Sequence, residues 1–165
     1  MSHNRVGIVG YGVYIPWERI ETAKIVRERE KKRGKELEKV LEKVRHGLLL
    51  REKSVAGHTE DTITIATEAA ENAIRMAGVS PQDIGSVTVG SESKPYAVGP
   101  IARHVASFIG IGENVFIADL EGACNSGMQG VDFIEAEIRS GRIRYGLAIG
   151  SDVAQADRGD PLEYA

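Results

Sequence analysis

The sequence has little cysteine, no long hydrophobic run and no basic excess. Its 165 residues include a single cysteine, Cys124, which excludes an intrachain disulfide framework and predicts a reducing compartment. No apolar stretch approaches the roughly 18 residues that a membrane-spanning helix requires. The chain enters an apolar, strand-like segment at Val6. We therefore expect no cleaved signal, no membrane association and a cytoplasmic location.

The charge is acidic overall but unevenly distributed. The net charge is −3, yet residues 21–53 carry 12 of the 21 Lys and Arg residues and only 7 of the 24 Asp and Glu residues. An acidic chain with one basic segment, and with no RNP, zinc-ligand or helix-turn-helix pattern, argues against nucleic-acid binding. The basic segment is better explained as a solvated helix with ion pairs than as a site for a phosphate-bearing ligand.

Apolar periodicity and turn residues predict alternating strands and helices along one domain, residues 1–165. Such alternation indicates a layered α/β fold with a largely parallel sheet covered by helices. The predicted strands are 6–15, 84–90, 115–120 and 145–150. The predicted helices are 21–46 with a break at Gly34, a second from Thr59 or Asp61 to Gly78, a third from Pro100, and a fourth from near Cys124 to Gly141, while 51–58 and 151–165 are predicted loops.

Cys124 stands where a predicted strand meets a predicted helix. It follows the apolar run Val115–Leu120, and a helical pattern begins after Gly122. A thiol at a helix N-terminus lies near unpaired N–H groups and the positive end of the helix dipole, and both favour the nucleophilic thiolate. From this position alone, a nucleophile and a small, inert core residue are equally good interpretations.

A second reactive side chain follows the neighbouring predicted strand. Glu92 comes just after Val89 and Gly90. Sites in parallel sheets form beyond the carboxyl ends of the strands, so adjacent strands would bring Glu92 and Cys124 to one rim. A nucleophile beside a carboxylate suits covalent acyl chemistry in which a proton also moves. Taken alone, however, Glu92 is better explained as a solvent-facing loop charge.

Several stretches together carry a resemblance to one family. They are Val6–Gly12, Ile15–Pro16, Glu52–Val55, Glu60–Thr62, Val89–Val98, Ala118–Glu121, Ala123–Cys124 and Ala148–Asp152. In these stretches the chain is similar to the N-terminal half of condensing enzymes of the thiolase superfamily, and most similar to archaeal-type hydroxymethylglutaryl-CoA synthases. The resemblance implies the N-terminal half of a thiolase-like layered fold, with a mixed, mostly parallel sheet covered by helices.

The resemblance implies a role for both reactive residues. Cys124 would accept an acetyl group from acetyl-CoA, and Glu92 would be the general acid and base of the condensation with acetoacetyl-CoA. The product would be 3-hydroxy-3-methylglutaryl-CoA, an intermediate of the mevalonate pathway. No metal and no tightly bound cofactor is implied, because both CoA thioesters are substrates. Arg51 and Lys53 lie in a region that matches the family's CoA-binding surface.

The resemblance also implies that this sequence covers only part of a larger fold. The thiolase fold has two similar halves, and the matching stretches cover the first. We therefore expect a second polypeptide that completes the fold and covers an apolar face, or a truncated product, or a fragment with little activity by itself. The family further implies a homodimer and a complex with an acetoacetyl-CoA thiolase. Two alternatives stay open: a type III ketoacyl synthase-like enzyme, and a non-catalytic half that binds partners.

Overall fold

A computed structural model describes residues 5–30 and 34–153. The chain forms two compact units, one of Met1–Tyr14 with Glu60–Asp152 and one of Ile15–Thr59 with Val153–Ala165. The expectation of a single domain over 1–165 stays a prediction, and the loop predicted at 151–165 lies beyond the described residues from position 154 onward. The elements are β1 (Glu18–Glu21), α1 (Thr22–Glu30), α2 (Lys35–Leu48), β2 (Glu52–Val55), α3 (Thr62–Ala77), β3 (Ile84–Gly90), α4 (Ile101–Phe108), β4 (Phe116–Leu120), α5 (Ser126–Arg139) and β5 (Tyr145–Gly150).

The smaller unit combines a two-stranded antiparallel ribbon with two helices. Glu18 of β1 is opposite Val55 of β2, and Glu21 is opposite Glu52. The predicted break at Gly34 is confirmed, because this residue has a φ of 67° and immediately precedes α2. The prediction of a loop over 51–58 is wrong for Glu52–Val55, because these residues form β2 and pair with β1.

The larger unit is built on a parallel sheet with strand order β4-β3-β5. The predicted strands at 84–90 and 145–150 are confirmed, and the strand predicted at 115–120 begins one residue later. Val87 and Val89 of β3 are fully buried in a core shared with α3 and α4. Thr88 points to the other face, where α5 packs, because side chains alternate along a strand. The predicted α/β architecture is therefore confirmed.

Local sequence signals set the ends of α3 as predicted. Asp61 is its N-cap: the Asp61 carboxylate accepts a hydrogen bond from the Thr64 N–H at 2.8 Å, and the Thr64 hydroxyl accepts one from the Asp61 N–H at 2.7 Å. This reciprocal capping satisfies two backbone donors that the first turn cannot pair internally. At the other end Gly78 has a φ of 63°, a conformation that glycine adopts without steric cost.

The prediction of a strand over 6–15 is wrong. Residues 5–14 pair with no strand of the described sheet, and Gly10, Gly12 and Val13 contact α3 instead. A Cβ atom on Gly12 would be 2.0 Å from the Ala69 carbonyl oxygen, and the Asn72 amide donates to the Val13 carbonyl at 3.2 Å. The segment therefore obtains its contacts from a helix. Across the described ranges no helix has the length and apolarity to span a membrane.

Candidate functional site

The carboxyl ends of the three parallel strands form one rim. The Ser91 N–H donates to the Leu120 carbonyl at 3.2 Å, which ties the segment after β3 to the end of β4. The Ser151 N–H donates to the Gly90 carbonyl at 3.1 Å, which ties the segment after β5 to the end of β3. These bonds extend the sheet pairing by one residue and bring the following loops together, as expected for a site in a parallel sheet.

At this rim, Glu92 contacts the turn that carries Cys124. The Glu92 Oε1 atom accepts a hydrogen bond from the Ala123 N–H at 2.7 Å. Cys124 is the next residue and is exposed, in a short 3₁₀ turn at Ala123–Asn125 that precedes α5. The helix itself begins at Ser126, two residues later than the sequence predicts. The structure thus places the predicted carboxylate beside the backbone of the predicted nucleophile.

Ala123 adopts a conformation that L-amino acids rarely take. Its φ is 49°, in the left-handed region, where a side chain crowds the backbone. Such a residue persists only where surrounding interactions hold it, and the hydrogen bond from its N–H to Glu92 is one of these. The left-handed residue sharply redirects the chain between β4 and α5, and Cys124 follows directly after it.

The backbone of Glu92 is held by a carboxylate that follows β5. Asp152 Oδ1 accepts three hydrogen bonds, from the Glu92 N–H at 2.8 Å, the Ser93 hydroxyl at 2.8 Å and the Ser91 hydroxyl at 3.1 Å. A carboxylate oxygen with three donors fixes the path of the 91–93 segment. All three strands therefore contribute to the rim: Glu92 follows β3, Cys124 follows β4 and Asp152 follows β5.

Behind this segment, buried hydroxyl groups connect the rim to α3. The Thr62 hydroxyl donates to the Ser93 carbonyl at 2.7 Å, and the Ser151 hydroxyl donates to the Thr62 carbonyl at 2.9 Å. Thr62 is fully buried and Ser93 and Ser151 are nearly so. Because each buried hydroxyl has a partner, these groups add order without leaving an unpaired polar atom.

A lysine connects the loop after β3 to the end of β4. The Lys94 ammonium forms an ion pair with the Glu121 carboxylate, and Lys94 Nζ lies 3.9 Å from Asp119 Oδ2. Asp119 also accepts hydrogen bonds from the Ile101 and Ala102 N–H groups, at 2.8 and 3.0 Å, at the start of α4. The hydrogen bond to Glu121 raises the pKa of Lys94, and burial opposes this increase. Neighbouring carboxylate charges raise it further, so the ammonium stays protonated.

The predicted CoA-binding residues belong to the other unit. Arg51 is exposed and directly precedes β2, where its carbonyl accepts the Thr22 N–H at 3.0 Å. Lys53 lies on β2 opposite Ile20. Their assignment to CoA stays a prediction. Within residues 5–30 and 34–153, no three His, Cys, Asp or Glu side chains form a group that could hold a metal ion.

Sequence reasoning missed Asp152 and Lys94. Asp152 follows a predicted strand just as Glu92 does, so the same strand-end rule could have found it. In the sequence, Lys94 is only one residue of the polar stretch Ser91–Pro95 that follows a predicted strand. Its position depends on the fold of the 91–99 loop, which no periodic pattern predicts.

Known proteins are similar to this chain in sequence. The family model "Thiolase, N-terminal domain" matches residues 51–157. Hydroxymethylglutaryl-CoA synthase of Archaeoglobus fulgidus is 48% identical over 160 residues, which are 97% of this chain and 44% of that protein. The enzyme of the same name from Methanocaldococcus jannaschii is 49% identical over 158 residues, or 96% and 44%. The chain thus spans less than half the length of these curated relatives.

Two solved structures extend the comparison. The priming β-ketosynthase of the R1128 polyketide pathway superposes with a TM-score of 0.81 and 20% identity, covering 95% of this chain and 45% of that one. This likeness shows the fold alone. MvaS in complex with 3-hydroxy-3-methylglutaryl coenzyme A gives a TM-score of 0.71 and 30% identity, over 84% of this chain and 31% of that one.

Proposed function

Because this chain belongs to the thiolase N-terminal domain family, we propose that it is the nucleophile-bearing part of a hydroxymethylglutaryl-CoA synthase. The reaction would join acetyl-CoA to acetoacetyl-CoA through an acetyl-cysteine intermediate, as a step of the mevalonate pathway. Its similarity to synthases over 97% of its length supports this substrate class. The observation that carries the proposal is the contact between the Glu92 carboxylate and the backbone beside Cys124.

The first step is transfer of an acetyl group to Cys124. The thiolate sulfur attacks the carbonyl carbon of acetyl-CoA, the bond from that carbon to the CoA sulfur breaks, and CoA leaves as a thiolate that takes up a proton. The exposure of Cys124 at the strand rim gives a thioester access to the sulfur. The Cys124 N–H, at the turn before α5, is a candidate donor to the oxygen that becomes negatively charged.

The second step needs a base close to the acetyl group. Glu92 removes a proton from the methyl carbon of acetyl-Cys124, and the thioester stabilises the resulting negative charge. The carbon then attacks the ketone carbon of acetoacetyl-CoA, and protonated Glu92 returns a proton to the alkoxide formed there. Water finally hydrolyses the thioester to Cys124, which releases the carboxylate product and restores the thiol. The hydrogen bond from the Ala123 N–H holds the Glu92 carboxylate beside the turn that carries Cys124.

We further infer that complete turnover needs the region that covers the rest of the relatives' length. A groove of about 650 Å³ supports this inference. It lies between the extended segment 5–12 and β5, the edge strand of the described sheet, and it is lined by apolar residues of α3 and α5. An apolar groove bounded by two extended segments suits a further strand from that region.

The remaining assignments rest on the family alone. A homodimer, an acetoacetyl-CoA thiolase as binding partner, CoA contacts through Arg51 and Lys53, and a cytoplasmic location are proposals of this kind. A cytoplasmic location would keep the exposed Cys124 thiol reduced, as a nucleophile requires.

Mass spectrometry after incubation with acetyl-CoA tests the proposal, since the chain has one cysteine. We expect one acetyl group on Cys124 in the unaltered protein and in Glu92→Gln, and none in Cys124→Ala. In heavy water the methyl group of the adduct should gain deuterium in the unaltered protein, at least 100-fold faster than in Glu92→Gln. Failure of Glu92→Gln to accept acetyl would make Glu92 a structural residue, and absence of any adduct on the unaltered protein would refute the proposal.

A further inference from the structure

Two side-chain contacts join the loop after β3 to the chain that leads to Cys124. One is the hydrogen bond of 2.7 Å from the Ala123 N–H to Glu92, which the proposed function uses. The other is the ion pair between the Lys94 ammonium and the Glu121 carboxylate, to which the proposed function gives no role. Lys94 follows Glu92 by two residues. Glu121 likewise precedes Ala123 by two, so both contacts span the same gap between the loops.

A second carboxylate, Asp119 of β4, keeps the ammonium in place. Asp119 Oδ2 lies 3.9 Å from Lys94 Nζ, and its side chain is nearly buried. The two Asp119 oxygens also accept hydrogen bonds from the Ile101 and Ala102 N–H groups, at 2.8 and 3.0 Å. A carboxylate bonded to two backbone amides has little freedom. Lys94 thus has one fixed acidic neighbour, and it joins to this neighbour the more mobile Glu121, whose side chain is 62% exposed.

Glu121 leads directly into the turn that carries Cys124. Gly122 comes next, and glycine restrains the backbone less than any other residue. Ala123 follows with its left-handed φ of 49°, a conformation that persists only where the surrounding contacts hold it. Because Gly122 has no side chain, the ion pair of Glu121 is the last side-chain contact made by the chain itself before Ala123. The pair therefore restrains the entry to this turn.

Folding and proton transfer should respond differently to the loss of this ion pair. An ion pair with one well-exposed partner adds little to the free energy of unfolding, because solvent screens the charges and both side chains lose rotamer freedom. Proton transfer, in contrast, requires the base within hydrogen-bonding distance of the proton, and a small displacement slows it steeply. A positioning pair therefore predicts slow proton transfer in a protein of nearly normal stability.

We propose that Lys94 is a positioning residue whose ion pair with Glu121 holds the proposed base, Glu92, in place for proton transfer. It does so by fixing the turn of Ala123, whose N–H bonds to the Glu92 carboxylate. The inference rests on the function proposed above. It gives Lys94 and Glu121 no contact with a reacting atom and no part in the transfer of acetyl to Cys124.

Two rates separate the step of Glu92 from the step of Cys124. Deuterium uptake by the acetyl group in heavy water measures the first, and formation of the acetyl adduct measures the second. Lys94→Met keeps the length of the side chain without its charge. We expect it to slow deuterium uptake about tenfold or more, while adduct formation changes less than about twofold. Its thermal unfolding should match that of the unaltered protein, and Lys94→Arg, which keeps the charge, should restore deuterium uptake.

Combining two substitutions tests whether Lys94 acts through Glu121. Glu121→Gln should slow deuterium uptake about as much as Lys94→Met. The variant with both changes should be no slower than either single variant, because each change already removes the same contact. Effects that multiply in the double variant would overturn the inference, and so would faster uptake in Glu121→Gln. Normal uptake in folded, acetylated Lys94→Met would overturn it too.

Arg139→Met is the matched control. Arg139 Nε lies 2.7 Å from Glu135 Oε1 in another partly exposed ion pair, at the end of α5 far from Cys124. We expect normal deuterium uptake and normal acetylation in this variant. A loss of uptake equal to that of Lys94→Met would show that any broken ion pair has this effect, and the inference would fail. If the unaltered protein accepts no acetyl group, the proposed function fails and this inference fails with it.

Discussion

Ala123 introduces backbone strain into the turn that carries Cys124. Its φ of 49° is unfavourable for any residue with a Cβ atom, and most unfavourable for a β-branched one. We expect Ala123→Val to lower the free energy of unfolding of the larger unit by about 1–2 kcal/mol relative to Ala123→Gly. Chemical denaturation of the two variants measures this difference.

The glycine variant is the control for that comparison, because it keeps the N–H that contacts Glu92 and removes only the side chain. Deuterium uptake by the acetyl group should be close to normal in Ala123→Gly and lowered in Ala123→Val. Equal stabilities for the two variants would mean that the turn is not strained at this position.

The sequence singles out both residues proposed for chemistry. Cys124 and Glu92 each follow an apolar run that predicts a buried strand, and strand ends meet at one rim, but their proposed roles come from the family resemblance. Asp152 obeys the same rule and was missed. Lys94 could not have been found in this way, since its ion pair with Glu121 joins two loops whose shapes depend on tertiary contacts.

At the scale of elements, the close contact between β3 and α5 fixes where the proposed nucleophile, Cys124, lies. Gly90 ends β3, and a Cβ atom added there would be 2.5 Å from the Ser126 carbonyl carbon and 2.6 Å from the Gly127 nitrogen. These are backbone atoms at the start of α5, which cannot move aside as a flexible side chain can. The absence of a side chain at Gly90 thus allows the helix to begin beside the strand, two residues after Cys124.

Gly90→Ala should therefore push α5 away from the sheet. We expect a loss of about 1–3 kcal/mol in the free energy of unfolding of the larger unit, which is typical of overpacking. Acetylation of Cys124 should become at least tenfold slower, because its turn would shift with the helix. Denaturation and the rate of adduct formation measure the two effects.

Gly7→Ala is the comparison variant in the same unit. Nothing lies within 4 Å of a Cβ atom added at Gly7, so we expect a change below about 0.5 kcal/mol and normal acetylation. A Gly90→Ala protein as stable and as reactive as Gly7→Ala would show that helix and strand can separate without consequence.

Two secondary-structure predictions made from the sequence are wrong, and both concern strand formation. Residues 6–15 have a strand-like composition, but composition does not say what the backbone pairs with, and here α3 provides the contacts. The polar segment Glu52–Val55 lacks the apolar alternation of a half-buried strand, yet it pairs with β1. Both errors arise because strand formation depends on a partner that is distant in sequence.

At the scale of the molecule, the groove between segment 5–12 and β5 leads to a prediction about the region that covers the rest of the relatives' length. Val9 lines this groove and is 62% exposed. We expect Val9→Lys to leave the thermal stability of this chain unchanged, because an exposed position tolerates charge. The substitution should lower co-purification with a polypeptide covering the rest of the relatives' length at least tenfold, since it would bury an unpaired charge in the contact.

Phe108→Lys is the matched control, since Phe108 is 63% exposed and lies outside the groove. Co-purification of this variant should equal that of the unaltered chain. If Val9→Lys also co-purified normally, that polypeptide would bind outside the groove. This result would not bear on the acetylation of Cys124, which is measured separately.

The sequence by itself determined the alternation of strands and helices, the caps of α3 and the two residues proposed for chemistry. These depend on apolar periodicity, capping residues and turn residues, which are local properties of the chain. Only the tertiary structure decided that residues 10–13 lie against α3, that Asp152 holds the backbone of Glu92 and that Lys94 lies between acidic groups. Such contacts join positions up to about 60 residues apart, and their energies depend on distance and burial, which no local pattern encodes.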